Sequence, residues 1–151
     1  MQNIEELFRK YKDDVYRLAL SYTRNPAEAE DVCQSVFVKG MEQPSITPGK
    51  EKAWLMQVTA NQCRNLLRSA WWKKTQPLEE ALPAETGEDS GVYQAVMALP
   101  PKYRVVVYLR YYEEYSTKEM AQLLRISQSA VTTRLNRARQ MLKPMLEEVY
   151  V

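Results

Sequence analysis

Residues 116–142 read STKEMAQLLRISQSAVTTRLNRARQML, and this stretch decides the fold. Ser116 followed three residues later by Glu119 has the form of a capping box. The serine hydroxyl accepts from the Glu119 N–H while the glutamate reaches back to the cap N–H. A helix starting at Thr117 then offers Met120, Ala121 and Leu124 inward. Arg125 and Ile126 make a short turn, and Ser127 is a second N-cap. The helix that follows, to Leu142, places Val131, Leu135, Ala138 and Leu142 on one face, spaced by four, three and four residues. Small Ala121 lets the two helices cross closely, as a helix-turn-helix requires.

The opposite face gives the hairpin a purpose. Gln128, Ser129, Thr132 and Thr133 lie at the N-terminal end of the second helix, with short or amide-bearing side chains suited to base edges. Arg134, Arg137 and Arg139 follow, and Lys118 precedes them on the first helix; these suit phosphates. A hairpin built only for packing has no reason to collect that order of groups, so DNA binding is expected in place of a merely solvated face. Residues 127–142 are then the recognition helix. Arg125 is a poor turn residue, because that position often needs a positive φ, and a modest local strain or an alternative turn is expected there.

Upstream, the chain continues to read as helix. Ile4, Leu7, Phe8, Tyr11, Val15, Leu18, Ala19 and Tyr22 form one stripe that stops near Arg24. Asn25 is an N-cap before Pro26, and Ala29, Val32, Cys33, Val36 and Phe37 carry a second helix to about Met41. Pro44, Pro48 and Gly49 make residues 43–49 a loop. A third helix from Lys52 shows Ala53, Trp54, Leu55, Val58, Cys63, Leu66 and Leu67 on its apolar side, ending around 71–74. Trp54, inside that stripe, is expected in the core. Residues 75–91 combine prolines and glycines with an acidic cluster and few large apolar side chains, as a flexible linker does. After it come a short helix over 92–99 and another from Pro101, with Val105, Val106, Leu109 and Tyr112 apolar. The expectation is an all-α chain of two small helical domains, 1–74 and 92–151, joined by the linker 75–91.

Net charge is only +2, but its distribution is informative. Lys50, Lys52, Arg64, Arg68, Lys73 and Lys74 form one basic stretch, and Arg125, Arg134, Arg137, Arg139 and Lys143 form another. Between them lie Glu79, Glu80, Glu85, Glu88 and Asp89 with no base. With no histidine and two cysteines the chain lacks ligands for a zinc site, and histidine-based acid–base chemistry is excluded. Cys33 and Cys63 read as buried thiols; no metal or other cofactor is expected. No run is long and apolar enough for a membrane span, and residues 1–10 do not resemble a signal peptide, so a cytoplasmic location is expected.

Residues 25–39, NPAEAEDVCQSVFVK, resemble the second conserved region of bacterial sigma factors. Residues 53–61, AWLMQVTAN, with Asn65-Leu66-Leu67-Arg68, resemble the helix that melts promoter DNA. Leu99-Pro100-Pro101-Lys102-Tyr103-Arg104, residues 120–124 and residues 127–139 are similar to the fourth region. The order and the short spacer point to the extracytoplasmic-function group of RNA polymerase sigma factors. Ser35 stands where that family usually has an acid, and Gly40 where a larger residue is common.

The resemblance implies roles residue by residue. Asp31, Gln34, Ser35 and Val38 would form an outward stripe that docks on the basic clamp helices of core RNA polymerase. Asn61, Arg64, Asn65 and Arg68 would face the non-template strand of the -10 element, with the loop 43–52 receiving an unstacked base. Gln128, Ser129, Thr132 and Thr133 would read the -35 element of promoter DNA. The linker would thread toward the polymerase cleft, where its charge could mimic nucleic acid, or serve as a solvated tether. Trp71 and Trp72 could pack on the domain, meet duplex DNA or be covered by an inhibitor. An anti-sigma factor is a further implied partner that no residue here identifies. The expected function is therefore promoter-specific initiation, without enzymatic chemistry. Two rivals are a stand-alone helix-turn-helix regulator, which leaves residues 25–68 unused, and an inhibitor that holds polymerase without initiating.

Overall fold

Asn3 starts the first helix of the computed structural model, its side-chain oxygen accepting from the Glu5 N–H at 2.9 Å. The structure describes residues 3–43, 46–69 and 90–150. Helix α1, Ile4–Thr23, buries Leu7, Val15, Leu18, Ala19 and Tyr22 and stops where Arg24 turns left-handed at φ 55°. The Arg24 N–H still closes on the Leu20 carbonyl at 2.8 Å. Helix α2, Pro26–Glu42, opens with the Asn25 side chain accepting from the Glu28 N–H at 3.1 Å. Proline at the first helical position forfeits only an N–H that had no intrahelical partner. Gly40 is buried, and a Cβ there would lie 3.0 Å from the Ile4 Cδ1, so the glycine brings α1 and α2 close.

Helix α3, Glu51–Arg68, packs on both α1 and α2. Its buried face differs from the expected stripe. Leu55 and Cys63 are buried as expected, but Met56, Thr59 and Ala60 join them, while Ala53 is exposed and Trp54 and Val58 are half-buried. Packing against two helices selects an arc that a single apolar stripe does not reveal. Thr59 tolerates full burial because its hydroxyl donates to the Leu55 carbonyl at 2.7 Å. Fully burying a side chain such as Leu18 or Leu55 contributes about 1.5–3 kcal/mol. The helix ends at Arg68, short of the expected 71–74, because Ser69 is extended and donates its hydroxyl to the Leu66 carbonyl at 2.9 Å. Trp71, Trp72 and residues 75–89 of the expected linker lie outside the described residues.

The chain divides into two compact units, Met1–Leu78 and Glu79–Val151. In the second, helix α4 is Ser90–Met97 and helix α5 is Pro101–Val107. Arg104, only 4% exposed, clasps the turn between them by donating to the carbonyls of Leu99 at 2.9 Å and Met97 at 3.3 Å. A π-helical turn, Tyr108–Tyr112, then widens the coil, with the Glu113 N–H reaching the Tyr108 carbonyl five residues back at 3.2 Å. Val105, Val106 and Leu109 are buried as the spacing predicts. Tyr112 is not: the extra residue of the π turn swings it outward to 57% exposure, stacked on Tyr108.

Helix α6, Thr117–Leu124, and helix α7, Gln128–Tyr150, complete the unit. Its core includes Val96, Leu99, Val107 and Ala138, with Val92, Tyr103, Met141 and Leu142 against them. The recognition helix runs on past the expected end at Leu142, through Pro144. Pro144 is exposed, and half-buried Met145 and Leu146 continue the apolar side beyond it. Among the described residues every regular element is helical.

Candidate nucleic-acid interface

Ser116 caps α6 with both halves of the box closed: the Glu119 N–H donates to the serine hydroxyl at 3.1 Å, and the Ser116 N–H donates to the Glu119 carboxylate at 2.8 Å. Those bonds hold the Glu119 carboxyl below its usual range, the backbone donor first. Met120, Leu123 and Leu124 are buried and Ala121 is half-buried, so Leu123 supplies a core contact that the sequence reading omitted. Arg125 is left-handed at φ 58°, ψ 44°, and the Ile126 N–H bonds the Ala121 carbonyl at 3.1 Å. The expected strained turn is therefore present. Ser127 accepts from the Ala130 N–H at 3.0 Å, starting α7 with Val131, Leu135 and Ala138 buried.

Gln128, Ser129, Thr132 and Thr133 are all exposed at the N-terminal end of α7. The Thr133 hydroxyl donates to the Ser129 carbonyl at 3.0 Å, so toward a ligand it retains its acceptor role. Lys118 and Arg137 are exposed and Arg134 is half-buried. Arg137 also hydrogen-bonds the Tyr103 phenol and pulls its pKa down. Arg139 is placed differently from the other expected phosphate contacts. Its Nε donates to the Tyr111 hydroxyl at 2.8 Å, its Nη1 to Asn136 at 3.1 Å, and its guanidinium lies 5.8 Å from the Tyr111 ring centre. It borders an apolar groove of about 750 Å³ lined by Val92, Val96, Val107, Tyr111, Tyr112 and Leu142.

In the first unit, Asn65 and Arg68 are exposed, while Asn61 and Arg64 are half-buried and occupied with each other. The Arg64 guanidinium also reaches the Tyr22 hydroxyl at 3.5 Å, and Gln57 donates to the same Asn61 oxygen at 3.3 Å. Arginine has only donors, so the Asn61 carbonyl oxygen is fixed toward it and the amide nitrogen remains for a ligand. Beside them runs a groove of about 370 Å³ between α2 and α3. Trp54 and Val58 give it apolar surface; Lys39, Asn61, Gln62 and Asn65 give it polar surface, with Glu42 and Gln43 at the α2 end. Trp54, expected in the core, is thus a groove residue.

On α2, Asp31, Gln34 and Val38 form an exposed stripe, but Ser35 does not join it. Ser35 is half-buried and its hydroxyl donates to the Gln62 side-chain oxygen at 3.1 Å, because its position turns toward α3. Met41, 66% exposed, extends the stripe instead; its spacing from Asp31 could have revealed it. Phe8 lies at the edge of the same side, 41% exposed with its ring 5.1 Å from that of Phe37. Burial first, then the charge of Asp31, holds the Glu28 carboxyl above its usual range. Gln62 was missed altogether, since nothing in sequence spacing marks a bond between two helices. Burial raises the Cys33 thiol and pushes Cys63 up to about 12, so both stay protonated at neutral pH.

The family model described as Sigma-70 region 2 matches residues 7–73, and that described as Sigma-70, region 4 matches residues 91–142. The ECF RNA polymerase sigma factor SigM of Bacillus subtilis is 32% identical over 155 residues, covering 94% of this chain and 94% of that protein. The ECF RNA polymerase sigma factor SigE of Mycolicibacterium smegmatis is 29% identical over 160 residues, covering 97% of this chain but 62% of its own length. In fold, the chain is similar to the sigma factor RpoE of Bartonella quintana, solved in complex with the anti-sigma factor NepR. The TM-score is 0.75 at 19% identity, over 95% of this chain and 96% of that one.

Proposed function

Because the chain belongs to the extracytoplasmic-function sigma factors of RNA polymerase, we propose that it brings core polymerase to promoters, opens the -10 element and reads the -35 element. The observation that carries this reading is the pairing, in one chain, of the exposed α2 stripe with the exposed polar end of α7. Residues 1–74 are the polymerase and -10 module, 75–91 the tether, and 92–151 the -35 module. Asp31, Gln34, Val38 and Met41 dock on a basic partner helix, where apolar and acidic groups side by side give both burial and charge complementarity. Asn61, Arg64, Asn65 and Arg68 track the single strand, and the groove beside Trp54, lined from the 43–52 loop by Gln43 alone among the described residues, takes the unstacked base in place of the loop as a whole. Extruding that base costs a few kcal/mol, which stacking and a charged path offset.

Gln128, Ser129, Thr132 and Thr133 read base edges, with Lys118, Arg134 and Arg137 on phosphates. Arg139, turned to Tyr111, is left out of that set. The chain makes and breaks no bond, acts in the cytoplasm, and is held in check by an anti-sigma factor, as the RpoE of the solved complex is bound by NepR. Transcription from a cognate promoter with purified core enzyme tests the reading. Initiation that requires both proteins is expected. Tight promoter binding by the chain alone, unaffected by core, would instead establish a stand-alone regulator.

A further inference from the structure

Gln62, on α3, ties the docking helix to the groove. Its side-chain oxygen accepts from Ser35 at 3.1 Å and from the Lys39 ammonium at 3.0 Å, both on α2. Ser35 lies next to the docking stripe, while Lys39 lines the groove between α2 and α3. A lysine ammonium can only donate, so the orientation of the Gln62 amide is settled by chemistry. Lys39 is otherwise an exposed, flexible side chain with considerable rotamer freedom to lose on meeting a ligand. The bond to Gln62 holds its ammonium at the groove in advance. Asn61 is restrained in the same way, its oxygen accepting from Gln57 and Arg64 and its amide nitrogen left over. Two donors that line the groove, one from each helix, are thus held before anything binds.

We propose that Gln62 is a positioning residue, which holds Lys39 beside Asn61 so that the groove selects an unstacked base through acceptor atoms on its edge. This rests on the groove being the base-binding site proposed above. Two donors suit a base edge that carries two acceptors, whereas an edge that pairs one acceptor with one donor, as on adenine, would leave one of them unpaired in a partly desolvated site. Trp54 and Val58, on the same groove, supply apolar contact that does not distinguish bases.

The test assembles holoenzyme from purified core and full-length chain. It selects bound species from a promoter library whose non-template strand is randomised across the -10 segment. Wild type is expected to enrich bases at one position, and Gln62→Leu to reduce that enrichment by about fivefold while leaving other positions unchanged. Gln62→Glu keeps an acceptor for Lys39 and restores the enrichment. Lys39→Gln matches the loss of Gln62→Leu, and the double variant Lys39→Gln/Gln62→Leu loses no more than either single one. Co-purification with core and the thermal midpoint of each variant separate this from a general loss of structure. If wild type enriches no base within the segment, the base-binding reading fails. If wild type enriches a base and Gln62→Leu enriches it equally, or Gln62→Glu behaves as Gln62→Leu, that reading stands and the role of Gln62 is refuted.

Discussion

Replacing Arg125 by glycine is expected to stabilise the second unit. Arg125 ends α6 at φ 58°, ψ 44°, a region where an L-residue with a Cβ costs about 1–2 kcal/mol. Its side chain is exposed, so truncation removes no core contact. The backbone bonds around it, from its own N–H and that of Ile126 to the Ala121 carbonyl, need no side chain. Glycine relieves the Cβ cost but frees the unfolded chain by about 0.5–1 kcal/mol. Taking the middle of each range, the balance is a gain of about 0.75 kcal/mol, or roughly 3–6 °C in Tm for a unit of this size. Calorimetry on the full chain reads the shift, with Arg125→Ala as the comparison, since alanine keeps the Cβ and the strain. A glycine variant that melts at or below the alanine variant would refute the reasoning.

Three further outcomes follow from the geometry. Arg137→Ala should weaken promoter binding on all sequences and lower its salt slope by about 1, whereas Arg139→Ala should leave the slope unchanged because that guanidinium faces Tyr111; binding titrations across salt concentrations decide. Asp31→Lys should abolish co-purification with core polymerase while the circular dichroism spectrum stays that of wild type, since Asp31 is exposed. The Glu119 carboxyl is held below its unfolded range, so the stability it contributes is present above the unfolded pKa of about 4.3 and is lost as pH falls through the lower folded value. Glu119→Gln keeps the reach but cannot titrate, so the thermal midpoint measured from pH 6 to pH 3 should fall less steeply than in wild type.

The capping box at Ser116, the Asn25–Pro26 start and the apolar stripes were legible because each is a local rule: the groups that satisfy it are three or four residues apart. The strained turn at Arg125 was legible for the same reason. What the sequence concealed involves a second helix or a change of coil. Ser35 sits one position from the exposed Gln34, yet its hydroxyl belongs to Gln62 on α3. Arg139 has the side chain of a phosphate contact but is captured by Tyr111, which lies in a π turn that no local spacing marks. Trp54 follows the apolar spacing of α3 but lies on a groove, since packing on two helices moved the buried arc toward Met56 and Ala60.

The clasp at Arg104 gives the second unit an order of failure. Its guanidinium keeps its charge at every pH a cell experiences, and burial shields it from added salt. The joint between α4 and α5 therefore has no chemical release. The start of α6 is the opposite case: an exposed cap that depends on a carboxylate able to take a proton. Acid should loosen the leading edge of the helix-turn-helix first, while the joint between α4 and α5 holds its shape and α6 re-forms against the π turn and α7 when the proton leaves.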